Sequence, residues 1–154
     1  MKFIITTTTI IIVMTNAHAV PLIIAGSRDC NKDIDYTMLV HQLPLLLDIN
    51  SVTEIVSGGA RGADMLGERW ANNNNLPVKR FPADWNTYGK AAGPIRNTAM
   101  AKYAAKNNGA LLVIWDGTSR GTLSMINQAN QQGIPVYIIK PDRFIKKKPQ
   151  GNLF

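Results

Sequence analysis

Ala110-Leu111-Leu112-Val113-Ile114-Trp115-Asp116-Gly117-Thr118-Ser119-Arg120-Gly121-Thr122 is the stretch that decides the fold. Its first half is a continuous apolar run, not an alternation. Such a strand is buried on both faces, as in a parallel sheet. The run breaks into a polar, glycine-bearing loop over Asp116–Gly121, and a helical pattern follows from Thr122 to Gln132. Ile134–Ile139 then reads as another strand.

Working back toward the amino terminus, the same unit recurs. Leu22–Ala25 is a buried-strand signal that ends at Gly26. Asp33–Leu47 reads as a helix, with Ile34, Met38, Leu39, Leu43 and Leu46 near helical spacing, and Pro44 predicts a kink or an early end. Thr53–Val56 is a strand that stops at Ser57-Gly58-Gly59, Gly62–Asn73 a helix closed by the Asn72–Asn75 run, and Pro77–Phe81 a third strand. Pro82–Gly93 reads as a long irregular loop, and Pro94 suits the first turn of a helix reaching Lys106. The order is therefore β-α-β-α-β-α-β-α-β. With right-handed crossovers this predicts an α/β fold. It is a single doubly wound, mainly parallel sheet of about five strands with helices on both faces.

Length and composition agree. A chain of 154 residues suits one domain, and 45% hydrophobic with 18% charged residues suits a packed core. These values exclude collagen-like, coiled-coil and wholly disordered chains. No apolar run reaches the ~20 residues of a membrane-spanning helix. The single cysteine, Cys30, excludes an internal disulfide, and with His18 and His41 it makes no metal-ligand cluster.

Both ends stand apart from the central domain, 20–140. In 1–19, Lys2 precedes the apolar stretch Phe3–Met14, which Thr6–Thr9 interrupt, and Ala17-His18-Ala19 has the form of a leader-peptidase site. The segment reads as an export signal, as an extra strand, or as translation from an upstream start. The tail, 141–154, is basic. From Lys140 onward Lys140, Arg143, Lys146, Lys147 and Lys148 face Asp142 alone, which accounts for +4 of the net charge of +7. Such a run serves solubility or contacts phosphates and acidic lipid.

In an open parallel sheet, ligands bind outside the carboxyl ends of the strands. The loops at that edge hold Gly26, Ser27 and Arg28; Ser57, Gly58, Gly59, Arg61 and Gly62; Lys90, Arg96 and Asn97; and Ser119, Arg120, Gly121 and Thr122. Glycine admits an anion close to backbone N–H groups, a helix start adds unpaired donors, and arginine supplies forked ones. The expected ligand carries phosphate. Trp85 and Tyr88 either stack on a base or ribose-linked ring or form a lid on the core. Asp64 and Asp84 are candidates for acid/base work or for accepting ribose hydroxyls, although Asp64 reads equally as a partner of Arg61. Trp115 reads as core or pocket wall, Cys30 has no histidine nearby in sequence to support nucleophilic catalysis, and Glu54 and Glu68 read as ordinary surface positions.

Five ordered motifs then carry a resemblance. They are Gly26-Ser27-Arg28, Val56-Ser57-Gly58-Gly59-Ala60-Arg61-Gly62-Ala63-Asp64, and Phe81-Pro82-Ala83-Asp84-Trp85 with Tyr88-Gly89-Lys90. Ala92-Gly93-Pro94-Ile95-Arg96-Asn97 with Met100 follows, and Trp115-Asp116-Gly117 with Ser119-Arg120-Gly121-Thr122 is last. Over about Leu22–Ile139 the chain resembles the YspA-type, YpsA-related branch of the SLOG superfamily, common in bacteria and phages. The resemblance implies a Rossmann-like fold and a pocket for a nucleotide or nucleotide-derived ligand such as an ADP-ribose-like molecule, with no certain cofactor.

The wider superfamily includes lysine-decarboxylase-like phosphoribohydrolases, whose Pro-Gly-Gly-x-Gly-Thr-x-x-Glu string ends in a catalytic glutamate. Aligned on Gly121-Thr122, that position is Met125 here, which cannot transfer a proton. N-glycosidic hydrolysis would therefore fall to Asp64 or Asp84. The chain is also similar to the DNA-processing protein A family at Ser57-Gly58-x-Ala60-Arg61-Gly62-x-Asp64 and Arg96-Asn97. That implies single-stranded nucleic-acid binding as an alternative. The resemblance further implies a cytoplasmic protein, exported only if 1–19 act as a cleaved signal, and a homodimer paired through helix faces.

Overall fold

A computed structural model describes residues 19–145; residues 1–18 of the signal-like segment and residues 146–154 of the basic tail lie outside the described residues. The sheet consists of β1 (Val20–Gly26), β2 (Val52–Ser57), β3 (Val78–Arg80), β4 (Ala110–Ile114) and β5 (Val136–Ile139). Its order is β3-β2-β1-β4-β5, and every pairing is parallel. The helices are α1 (Asp33–Leu46), α2 (Ala63–Asn73), α3 (Trp85–Tyr88), α4 (Ala92–Lys106) and α5 (Arg120–Gln131). This is the doubly wound α/β fold that the apolar runs predict.

Period-two geometry splits each central strand between two cores. On one face Leu22 and Ile24 of β1 pack with Leu39 and Leu43 of α1 and with Leu66 and Trp70 of α2. On the other, Ile23 and Ala25 pack with Met100 and Ala104 of α4 and with Met125 and Ile126 of α5. Both cores bury β1 and β4, which explains why those strands read as unbroken apolar runs.

Several boundaries differ from the sequence pattern for local reasons. The stretch expected as an irregular loop, 82–93, contains α3 and a 3-10 turn over Gly89–Ala91. Asp84 caps α3 by accepting the Thr87 N–H at 3.0 Å. Helix α4 begins at Ala92, two residues before Pro94. The first turn has no intrahelical use for its N–H groups, so a proline there loses no hydrogen bond. Strand β5 starts at Val136 because Ile134 spends its N–H on Ala129 at the end of α5, and Pro135 has none. Pro44 lies inside α1, which ends two residues later.

The chain folds on through the start of the basic tail. Arg143 pairs with Asp35 and donates to the Asp29 carbonyl at 3.0 Å, and Phe144 packs against the α1–α2 core. Asp35 is 1% exposed. One of the tail cations is thus a structural partner of a buried carboxylate. No helix among the described residues is long and apolar enough to cross a membrane.

Candidate functional site

The carboxyl ends of the strands open into a cleft of about 1130 Å³. It forms there because β1 ends between α2 and α5, the helices that follow its two neighbours. Ser27, 1% exposed, ties these pieces together beneath the cleft. Its N–H donates to the Ile114 carbonyl at 2.9 Å, its carbonyl accepts the Ala63 N–H at 3.3 Å, and its hydroxyl accepts the Asp116 N–H at 3.0 Å. Ser27 is thus a fastener of the floor and not part of the wall.

The cleft gathers most of the residues expected to hold phosphate. Gly26 and Arg28 come from the end of β1, Gly58, Gly59 and Arg61 from the β2–α2 loop, and Arg96 and Asn97 from α4. Ser119, Arg120, Gly121 and Thr122 come from the start of α5, and Trp85 from α3. Ser57 and Gly62 are buried behind the wall, and Lys90 lies outside it. Asp84 and Tyr88 line a smaller pocket of about 230 Å³ on the far side of Arg80 and Arg96. The two aromatic residues therefore face different cavities. Trp85 is 54% exposed, with its ring against Gly93, so it stands at the rim of the cleft and does not close over the core.

The β2–α2 loop is braced from within. Ser57 accepts the Gly59 N–H at 3.0 Å and donates its hydroxyl proton to Glu68 at 2.8 Å. Glu68 in turn receives two hydrogen bonds from the Arg80 guanidinium, at 3.0 and 2.5 Å. The sequence pattern puts Glu68 on the surface; the structure corrects this, with 6% of the residue exposed. The Arg80 hydrogen bonds outweigh burial and hold its carboxyl below the ordinary range. Glu54 is likewise half-buried and accepts the Tyr103 hydroxyl.

Asp64 is 4% exposed and accepts the Ala60 N–H at 3.2 Å. Burial pushes its carboxyl up to about 6, against the backbone N–H groups and the nearby Arg96 charge. Its charged neighbour is thus Arg96, where the sequence offered Arg61 as a partner. Arg96 itself donates to the Gly58 carbonyl at 2.5 Å and to Asn97 Oδ1 at 3.0 Å. Arg28, Arg61 and Arg120 form no ion pairs among the described residues.

At α5 the capping is different. Burial works against the Asp116 carboxyl, but the N–H groups of Thr118 and Ser119, each at 2.8 Å, hold it below the ordinary range. Ser119 accepts the Thr122 N–H at 3.4 Å. Among the described residues the backbone N–H groups of Arg120 and Gly121 have no partner, as at other helix starts. Met125 lies in the cleft wall where the hydrolase pattern has glutamate.

Two contributors were missed. Arg80 lines the cleft at the end of β3, and Asp116 orders the loop before α5. The Trp115-Asp116-Gly117 motif held a signal for Asp116. Nothing local marks Arg80, whose partner is twelve residues back. Cys30 is buried, and burial followed by the Asp35 charge raises its thiol to about 11, so it is a poor nucleophile. Trp115 is half-buried against the α4–α5 core and donates its indole N–H to the Ser119 carbonyl at 3.3 Å. No cluster of three metal-ligating side chains occurs among the described residues.

The sequence profile of the YspA, cpYpsA-related SLOG family matches residues 20–88. The Gene 61 protein of Mycobacterium phage D29 is 38% identical over 87 aligned positions, an alignment that covers 53% of this chain and 67% of that protein. No solved structure matches the chain significantly.

Proposed function

We propose, for a chain that belongs to the YspA, cpYpsA-related SLOG family, that the cleft binds a nucleotide or nucleotide-derived molecule with a phosphate group, of the ADP-ribose kind. The observation that carries this reading is the convergence of five arginines from five segments, Arg28, Arg61, Arg80, Arg96 and Arg120, on one cleft. Guanidinium forks suit phosphate oxygens, and several forks on one ligand add orientation to charge.

The arginines divide by restraint. Arg80 and Arg96 are held from behind by Glu68, the Gly58 carbonyl and Asn97. Arg80 is exposed as well as held, whereas Arg28, Arg61 and Arg120 are exposed and form no ion pair among the described residues. In this reading the fixed pair orients the ligand, and the three arginines without ion pairs close on its phosphates. The N–H groups of Arg120 and Gly121 add donors at the helix start. Ser57, Gly58 and Gly59 act through the braced loop. If the ligand is hydrolysed, Asp64 is the carboxyl in the cleft wall closest in type to the task, with Arg96 beside it.

The test is calorimetry with ADP-ribose and native mass spectrometry of molecules that copurify with the chain. Arg61→Ala is expected to weaken binding at least tenfold, about 1.4 kcal/mol. Unchanged affinity would remove Arg61 from the site. An empty wild-type cleft that instead retains single-stranded DNA, with a steep loss on raising salt, would favour the nucleic-acid reading.

A further inference from the structure

Phosphate recognition leaves the side pocket between the β3–α3 connection and α4 without a role. We propose that this pocket takes the nucleobase of the ligand whose phosphates lie in the main cleft. The inference rests on the phosphate reading of that cleft.

The lining is apolar where a ring would lie. Phe81, Pro82, Ala92, Ile95 and Ala99 make the walls, and Tyr88 adds an aromatic ring to the lining. Tyr88 is 52% exposed and Ile95 46% exposed, so the mouth of the pocket is apolar surface beside a cationic cleft. A flat ring gains both from burial there and from stacking on tyrosine.

Size sets the occupant. At about 230 Å³ the pocket is smaller than the ~300 Å³ at which pockets for whole ligands begin, so it fits one ring system. The remainder of a nucleotide must lie elsewhere, and the wall shows where. Arg80, Pro82, Ala83 and Arg96 line both the pocket and the main cleft. A ligand that runs from one to the other passes two guanidinium groups already fixed by Glu68 and by Gly58 and Asn97.

Polarity narrows the class. Asp84 is the carboxylate in the pocket wall, oriented by the Thr87 N–H at 3.0 Å. An acceptor at the edge of an apolar slot matches a ring with N–H groups on its rim, which describes a nucleobase. A plain hydrocarbon would leave that acceptor unused. Trp85, on the other side of the wall, is then free to flank the ribose–phosphate part.

Alanine-methyl and backbone NMR with three probes separates the two claims. Adenosine is expected to shift the Ala92 and Ala99 methyls, pyrophosphate the Arg120 and Gly121 amides, and ADP-ribose both sets. Ala99→Phe fills the pocket. It should abolish the adenosine shifts and weaken ADP-ribose at least tenfold, while pyrophosphate affinity stays within twofold. Tyr88→Ala, at an exposed position, should weaken ADP-ribose in the same selective way if the Phe variant does not fold. Pyrophosphate binding with no adenosine shifts at Ala92 or Ala99 overturns the base pocket and leaves the cleft reading intact. Adenosine shifts without pyrophosphate binding overturn the cleft reading and leave a base site. If neither probe binds, both readings fall.

Discussion

The two glycine-bearing junctions, Ser57–Asp64 after β2 and Asp116–Thr122 after β4, look alike as sequence but are built differently. In the first, the chain consumes its own donors. The Gly59 N–H goes to Ser57 and the Ala60 N–H to Asp64, and the Glu68–Arg80 pair locks Ser57 from behind. In the second, Asp116 and Ser119 satisfy the loop and the third helical N–H, and among the described residues the Arg120 and Gly121 N–H groups stay unpaired at the cleft. One junction is a rigid wall, and the other is the better anion cradle. A glycine pair marks a tight approach, but it does not say whether the thing approached is a ligand or the protein itself.

The largest expected contrast comes from Gly62 and Gly121. Gly62 has φ +86°, and a Cβ there would stand within 2.7 Å of backbone atoms of Ser27 and Arg28. Gly62→Ala should cost about 4 kcal/mol in denaturant melts, from strain and overpacking together. A cost under about 1 kcal/mol would mean that the first junction is not the rigid one.

Asp64 should set a pH dependence of the opposite sign to the usual carboxylate. Its folded value of about 6 lies above the unfolded 3.8, so the folded state holds the proton longer. Stability from this group therefore falls as pH rises through that window, by roughly 3 kcal/mol at most. Asp64→Asn should match the wild type near pH 4 and exceed it near pH 7. Parallel melting curves at all pH values would show that the buried carboxyl carries no penalty.

Glu68 should behave in the ordinary direction. Its lowered value means that stability is present above the unfolded 4.5 and lost as pH falls through the folded value. Glu68→Gln is expected to cost about 2 kcal/mol at neutral pH, the scale of hydrogen bonds to a charged group. The cost should shrink in acid, and a pH-independent cost would assign it to packing alone.

A Cβ at Gly121 meets nothing within 4 Å, and the residue is helical. Gly121→Ala should stabilise the fold by about 0.5–1 kcal/mol while weakening pyrophosphate. If binding is unchanged, the α5 start is not where phosphate sits.

The centre of the sheet was legible because burial on both faces leaves a mark inside β1 and β4, the unbroken runs Leu22–Ala25 and Leu111–Ile114. The α3 turn was not, since four residues are too few to show a period. Glu68 misled because a carboxylate at a polar helical position reads as solvated. Its burial is decided by Arg80, which reaches it from β3, and by Ser57 at the end of β2.

The element order, the parallel sheet and the edge where arginine and glycine gather can be read from the residues alone, because they follow from local periodicity and one topological rule. Only the tertiary structure decided which donors at that edge are already used, which arginines are fixed, and that Trp85 and Tyr88 face separate cavities. Those properties depend on hydrogen bonds and packing between residues distant in the chain, and nothing in the local pattern encodes them.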